Sequence, residues 1–185
     1  MKTLLLALTC LALSGPSKTF HTQEEALALA FGKADVKRTT HYWTKPERAA
    51  LLELAGAKKV GGTHAEFQAK TKQGKVMAGR SVWFDTRMVR SKPQSIMLII
   101  DKDQRIEKLV VCSFHEPFEY KPVARWYEQF EGRQLNDDLH LKKDIHGVSG
   151  ATLTARATTA AVREVLAAHA TAHPPKKKKV TEKKK

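Results

Sequence analysis

The groups best suited to chemistry gather near the C-terminal end. Between His146 and Thr154 the chain reads HGVSGATLT, with hydroxyls at Ser149, Thr152 and Thr154 and the small residues Gly150 and Ala151 among them. Downstream, Ala155, Thr159, Val162, Val165, Leu166 and His169 recur at steps of three and four, the helical period. Asp144–His169 therefore reads as a small-residue loop running into a helix, with Arg156 and Arg163 on another face. A helix start leaves backbone N–H groups unpaired and carries a partial positive charge, so it suits an anion, usually a phosphate. Gly150 and Ala151 leave room for a bulky group to approach. The same residues also allow a plainer reading, in which Ser149 or Thr152 only caps the helix and no ligand is involved.

Other candidate groups are scattered. His169 and His173 stand at i, i+4, a spacing that can hold a metal; no third ligand is apparent in the sequence, a frayed helix end accounts for the pair, and no metal site is expected. No acid–base pair or nucleophile arrangement stands out, so no catalytic residue is assigned and turnover by the chain alone is not expected. Trp43, Trp83 and Trp126 read as core aromatics.

The elements that must position the loop follow from local signals. Thr22-Gln23-Glu24-Glu25 is a capping-box pattern before an Ala/Leu-rich run to Phe31, with Gly32 as the stop. Thr44-Lys45-Pro46-Glu47 repeats the device before a helix that ends near Gly56. Val36–Trp43 between them can form a strand. From Thr63 the pattern is strand-like: Ala65–Lys72 and Lys75–Phe84 flank a Gln73-Gly74 turn, and Gln94–Ile100 and Ile106–Phe114 flank Asp101-Lys102-Asp103-Gln104. Strict alternation would put Ile106, Val110, Cys112 and Phe114 on one face. Pro122–Phe130 reads as a helix, with Gly132 beyond it. The expectation is a single α+β domain: a mainly antiparallel sheet packed by helices.

SGAT followed by Leu-Thr, opening a C-terminal helix, resembles the flavinylation motif of the FMN-binding domain family. That family includes the C subunit of the sodium-pumping NADH:quinone reductase, the G subunit of the Rnf complex and small exported flavoproteins. The resemblance covers about Thr63 to His169. It implies that a FAD-dependent flavin transferase attaches FMN through a phosphoester to Thr152, with Ser149, Gly150, Ala151, Leu153 and Thr154 around the attachment point. The family pattern D-G-x-S-G-A-T has an acid six residues before the acceptor. Here His146 holds that place and Asp144 lies two residues further back, so either Asp144 takes the acidic role or modification is weaker. Phe114–Phe130 also resembles exported members, where a Glu-Pro turn lies near the flavin; by that likeness His115, Glu116 and Pro117 border the ring. Read from the residues alone, Pro117 and Pro122 end a strand and start a helix, and both readings stand. Phe84–Arg90 resembles the same proteins more loosely. Arg87 and Arg90 can lie near the phosphate, though a solvated basic loop is the simpler reading.

The chain has 185 residues, enough for one domain with a proper core. Residues 1–14 read as a short secretory signal peptide, with one Lys, an apolar run from Leu4 to Leu13 and a small-residue cleavage site at Ala12-Leu13-Ser14. The run is too short to span a bilayer. Residues 15–62 form an N-terminal helical segment, 63–173 the FMN-binding domain and 174–185 a Lys-rich tail. Removing the leader leaves Cys112 as the sole cysteine, which excludes an internal disulfide, a CxxC redox pair and a cysteine zinc site; it reads as a small buried hydrophobe. The formal charge is +14 at pH 7, and the tail holds seven Lys against one Glu. Such a run reads as a disordered arm directed at an anionic envelope surface or an acidic redox partner, and the leader argues against a nuclear or nucleic-acid role.

Together these readings give an exported, periplasmic or extracytoplasmic flavoprotein carrying FMN on Thr152 and passing electrons between redox partners rather than acting as a stand-alone enzyme. Two alternatives remain open: a non-covalent FMN-binding protein or reductase, and a basic polyanion-binding protein without flavin.

Overall fold

Two helices begin where the sequence spells a capping box. The computed structural model describes residues 18–69 and 79–174. Before α1 (Gln23–Phe31), the Thr22 hydroxyl accepts from the Glu25 N–H at 3.2 Å, and the Glu25 carboxylate accepts from the Thr22 N–H at 2.8 Å. Before α2 (Lys45–Ala55), the Glu47 carboxylate accepts from both the N–H and the hydroxyl of Thr44, with Pro46 in the first turn. Each box satisfies donors that a helix start leaves unpaired. Gly56 ends α2 in the left-handed conformation, φ +61°, which glycine reaches without steric penalty.

The sheet is antiparallel throughout. Its strands are β1 (Lys18–Thr19), β2 (Val36–Tyr42), β3 (Thr63–Ala69), β4 (Ser81–Met88), β5 (Pro93–Ile100) and β6 (Ile106–Phe114). The order β1-β6-β5-β4-β3-β2 makes β2 to β6 a meander in chain order, with β1 closing the far edge against β6. The chain then passes through α3 (Ala124–Tyr127) into the long helix α4 (Thr152–Ala172).

Helices cover both faces. Ile96, Leu98 and Ile100 of β5 pack with Trp83, Leu51 of α2 and Ala161, Val162 and Val165 of α4. Met97 and Ile99 point the other way and meet Ala26 and Ala30 of α1. Cover on both faces explains why Ile96–Ile100 is apolar at every position instead of alternating. Each fully buried aliphatic side chain there contributes about 1.5–3 kcal/mol relative to exposure. No helix among the described residues is long and apolar enough to cross a membrane.

The expected α+β architecture is present. One detail differs. Ile106 belongs to the core under α4, with Leu109 and Val111 beside it, whereas Val110 and Cys112 face α1. The β5–β6 register shifts between Ile99 and Ile100 and again between Ser95 and Ile96, so strict alternation along β6 is broken at both ends. The helix expected over Pro122–Phe130 is one α turn followed by a 3-10 turn, Glu128–Phe130. It is cut short because β6 recaptures the chain: the Gly132 N–H donates to the Ile106 carbonyl, and the Ile106 N–H to the Arg133 carbonyl. The strand expected over Lys75–Phe84 is described from Ser81 and runs on to Met88. The Gln73-Gly74 turn, the leader and the tail beyond Pro174 lie outside the described residues.

Candidate functional site

The loop before α4 is pinned by α3 and the turn that follows it. Trp126 Nε1 donates to the His146 carbonyl at 2.7 Å, and the His146 N–H donates to Gln129 Oε1 at 2.8 Å. At the end of the loop Gly150 has φ +79°. Nothing lies within 4 Å of where its Cβ would stand, so the backbone angle rather than crowding calls for glycine. Ala151 is the residue before the helix and no side chain caps it. The capping alternative for Ser149 or Thr152 is therefore not realised: Thr152 is the first helical residue, and both hydroxyl residues are exposed. Leu153 is 46% exposed. Thr154 is fully buried, and its hydroxyl donates to the Tyr120 carbonyl, which ties α4 to the 3-10 turn Phe118–Tyr120.

Thr152 stands on the wall between two cavities. The larger, of about 780 Å³, lies between the end of α2 (Ala55–Lys59), the turn His140–Lys142, the loop Gly147–Ser149 and the face of α4 that carries Thr152, Arg156 and Arg163. Cations dominate its lining: Lys58, Lys59, Arg87, Lys142, Arg156 and Arg163 stand against one acid, Glu164. The smaller, of about 170 Å³, is bounded by Val89, Arg90, Glu116, Tyr120 and the stretch Gly150–Thr154. Small-molecule sites typically run about 300–1,000 Å³, a range that the first falls within and the second falls below.

The charges on these walls are held by specific partners. Arg163 is buried, yet it donates only to carbonyls: Ala55 at 2.8 Å, Leu54 at 3.2 Å and Asn136 at 2.7 Å. A cation over the last carbonyls of α2 complements that helix's negative end. Glu164 accepts from the Gly61 N–H at 2.7 Å, lies 3.1 Å from His64 Nε2 and pairs with Arg87 at 3.2 Å. Burial alone would raise its pKa; His64, the Gly61 N–H and the Arg87 charge outweigh that and hold it down at about 2. Arg87 also forks onto Asp85 through Nε and NH2, at 2.7 and 2.6 Å. It is thus a half-buried wall residue of β4 and not part of a solvated basic loop. Arg90 is exposed and lies 6.0 Å from the Tyr120 ring.

The positions read from sequence divide between the cavities. Ser149 and Thr152 line the large one, and Gly150 to Thr154 with Glu116 line the small one. The Glu116 carboxylate is already engaged by the N–H groups of Arg90, Ser91 and Lys92 at 3.1, 2.6 and 2.7 Å. Burial works against its ionisation, but these donors keep its pKa below the usual value. Pro117 precedes the 3-10 turn and borders neither cavity. The His146 side chain is exposed and borders neither. Asp144 pairs with Arg133 at 3.0 Å. Cys112 is buried and its thiol is pushed up to about 11 by desolvation, which makes it inert at neutral pH. Lys58, Lys59, His140, Lys142 and the wall role of Arg163 carried no local signal; packing of α2 and the 140–142 turn onto α4 brings them together.

Residues 91–167 match the family model described as FMN-binding domain, in line with the resemblance read from SGAT. No curated protein matches the chain. Among solved structures, Shewanella oneidensis NqrC is similar, at 18% sequence identity and a TM-score of 0.47, covering 77% of this chain and 82% of that one.

Proposed function

We propose that this chain is an exported flavoprotein that carries FMN phosphoester-linked to Thr152 and passes electrons between redox partners. The observation that carries the reading is the position of Thr152. Thr152 is an exposed residue on the first turn of a 21-residue helix with no side-chain cap, on the wall of a cationic cleft of about 780 Å³. The donor set fits a phosphorylated flavin. Unpaired N–H groups at the helix start and the positive end of α4 favour a phosphate at that point. Arg156, one turn further along α4, and Lys58, Lys59 and Lys142 across the cleft supply the countercharge. The flavin itself, when bound, supplies the redox chemistry, and the protein sets its surroundings.

The volumes shift one expectation. The ring was expected beside His115, Glu116 and Pro117, but the cavity there is small and Glu116 is committed to the turn Arg90–Lys92. The large cleft is the better home, with Arg87 held by Asp85 and Glu164 as a fixed cation on its wall. Export supports a covalent tether, since a loosely held cofactor would be lost outside the cytoplasm. Maturation then needs a FAD-dependent flavin transferase, and the Lys-rich tail serves an anionic surface or an acidic partner.

A second reading, non-covalent FMN binding, is favoured by one observation. The acid usual at the sixth position before the acceptor is replaced by an exposed His146, and Asp144 is turned to Arg133. Coexpression with a flavin transferase, followed by acid precipitation, separates the two. Yellow colour retained in the pellet supports the covalent link; colour lost to the supernatant supports the second reading.

A further inference from the structure

The last turn of α4 carries a second constellation, away from the cleft. His169 and His173 stand one helical turn apart with ring centroids 4.8 Å apart. Beneath them β3 presents Glu66, and β2 presents His41 diagonally beside it, since Glu66 pairs directly with Thr39. Glu66 Oε1 lies 2.8 Å from His173 Nε2, and Oε2 lies 2.9 Å from His41 Nε2. Gln68 Nε2 also donates to Oε1 at 2.7 Å. One ligand atom from each of Glu66, His169 and His173 lies within 4.8 Å of the other two. The i, i+4 histidine pair thus has the third ligand that the sequence did not reveal.

We propose that Glu66, His169 and His173 form a binding site for a divalent first-row transition metal of the zinc or copper class, with His41 holding the second oxygen of Glu66 and solvent completing the shell. Two imidazoles and one carboxylate form a borderline donor set; calcium and magnesium prefer all-oxygen shells. Zinc–ligand bonds of about 2.0–2.2 Å put tetrahedral ligand atoms roughly 3.3 Å apart. The hydrogen-bonded contact between His173 and Glu66 must therefore widen by roughly half an ångström, and the longest separation must close. His173 can supply that movement: it is the residue after the last helical turn, and its side chain is 40% exposed. The same exposure gives an ion a way in, while Glu66 at 3% exposure anchors the floor.

The surroundings orient the ligands. His169 Nδ1 lies 3.1 Å from Ser81 Oγ, which also accepts from Trp83 Nε1 at 3.1 Å. With Nδ1–H donating to Ser81, the Nε2 lone pair of His169 is left for a metal, the usual outer-shell arrangement of a ligating histidine. His41 stacks on Trp43 at 5.4 Å and on Trp83 at 5.3 Å, so its ring is fixed before any ion arrives. His169 is seventeen residues along α4 from Thr152, about 25 Å at the helical rise, so the site is separate from flavin attachment.

The test uses the untagged full chain, stripped with a chelator and titrated calorimetrically with Zn²⁺ alone and spectroscopically with Co²⁺. The expected result is one equivalent of Zn²⁺ and visible Co²⁺ bands of a four-coordinate centre. Both should weaken at least tenfold in His173→Ala and in Glu66→Gln, and should persist in His21→Ala and in Thr152→Ala. Unchanged metal-free unfolding temperatures in His173→Ala, a half-exposed position, show that lost binding is not lost folding. Substoichiometric Zn²⁺ binding, or binding that survives both ligand substitutions, would overturn the proposal and leave a hydrogen-bonded Glu–His network with no ion.

Discussion

Arg163 Nε donates to the Ala55 carbonyl at 2.8 Å, joining α4 to the last turn of α2 across the floor of the cleft. The same guanidinium holds Leu54 and Asn136. Replacing it leaves the buried Ala55 carbonyl without its donor, a loss of about 1–3 kcal/mol, and frees the partly solvated carbonyls of Leu54 and Asn136. Arg163→Met is expected to lower stability by about 2–4 kcal/mol in denaturant unfolding, and Arg163→Lys to recover only part, because an ammonium cannot span the fork. A loss under about 1 kcal/mol in Arg163→Met would show that the clamp contributes little.

Glu164 gives the fold a defined acid limb. Its folded pKa of about 2 lies below the ordinary 4.5, so the unfolded chain binds the proton more readily. The stabilisation from its pairing is fully present above pH 4.5 and is lost as pH falls towards 2. In Glu164→Gln the fall in stability over that window should be shallower than in the parent chain. Equal slopes for the two proteins between pH 5 and pH 2 would place the acid sensitivity elsewhere.

Local signals carried much of the architecture. The capping boxes at Thr22 and Thr44 set the starts of α1 and α2, and Gly56 sets the stop of α2, because these are effects within one turn of chain. The bounds of β6 followed from its β-rich run between turns, but its faces did not: the two register shifts against β5 arise from pairing, which a single strand cannot show. The loop at Ser149–Thr152 was legible as a motif. Its cleft was not, since Lys58 and Lys142 reach α4 only through tertiary packing. The histidine pair on α4 was visible by its spacing, while Glu66 and His41 lie over a hundred residues earlier on β3 and β2.

His146→Asp should raise flavin occupancy when transferase is limiting, because it restores the acid of the family pattern. The loop itself should hold, since Trp126 and Gln129 grip only the backbone of residue 146. The ratio of flavin to protein absorbance reports the change. No rise would mean that the acidic position has no part in modification of this chain.

Arg156→Glu tests which cavity receives the cofactor. Arg156 is exposed on the large cleft, one turn from Thr152, and does not border the small cavity. Charge reversal beside a phosphate should reduce flavin occupancy severalfold at low salt and less at high salt, where screening shortens the interaction. Unchanged occupancy at both salt levels would point to the Glu116 side instead.

Intact mass of the exported chain, expressed with a flavin transferase, tests the central claim most directly. Expected is a leaderless chain heavier by one FMN less one water, and no such increment in Thr152→Ala. Because Thr152 is exposed and caps nothing, the variant should unfold within about 0.5 kcal/mol of the parent, so a lost increment reports the acceptor and not a lost fold. An FMN increment that persists in Thr152→Ala, or a parent chain that never gains one, would contradict the assignment.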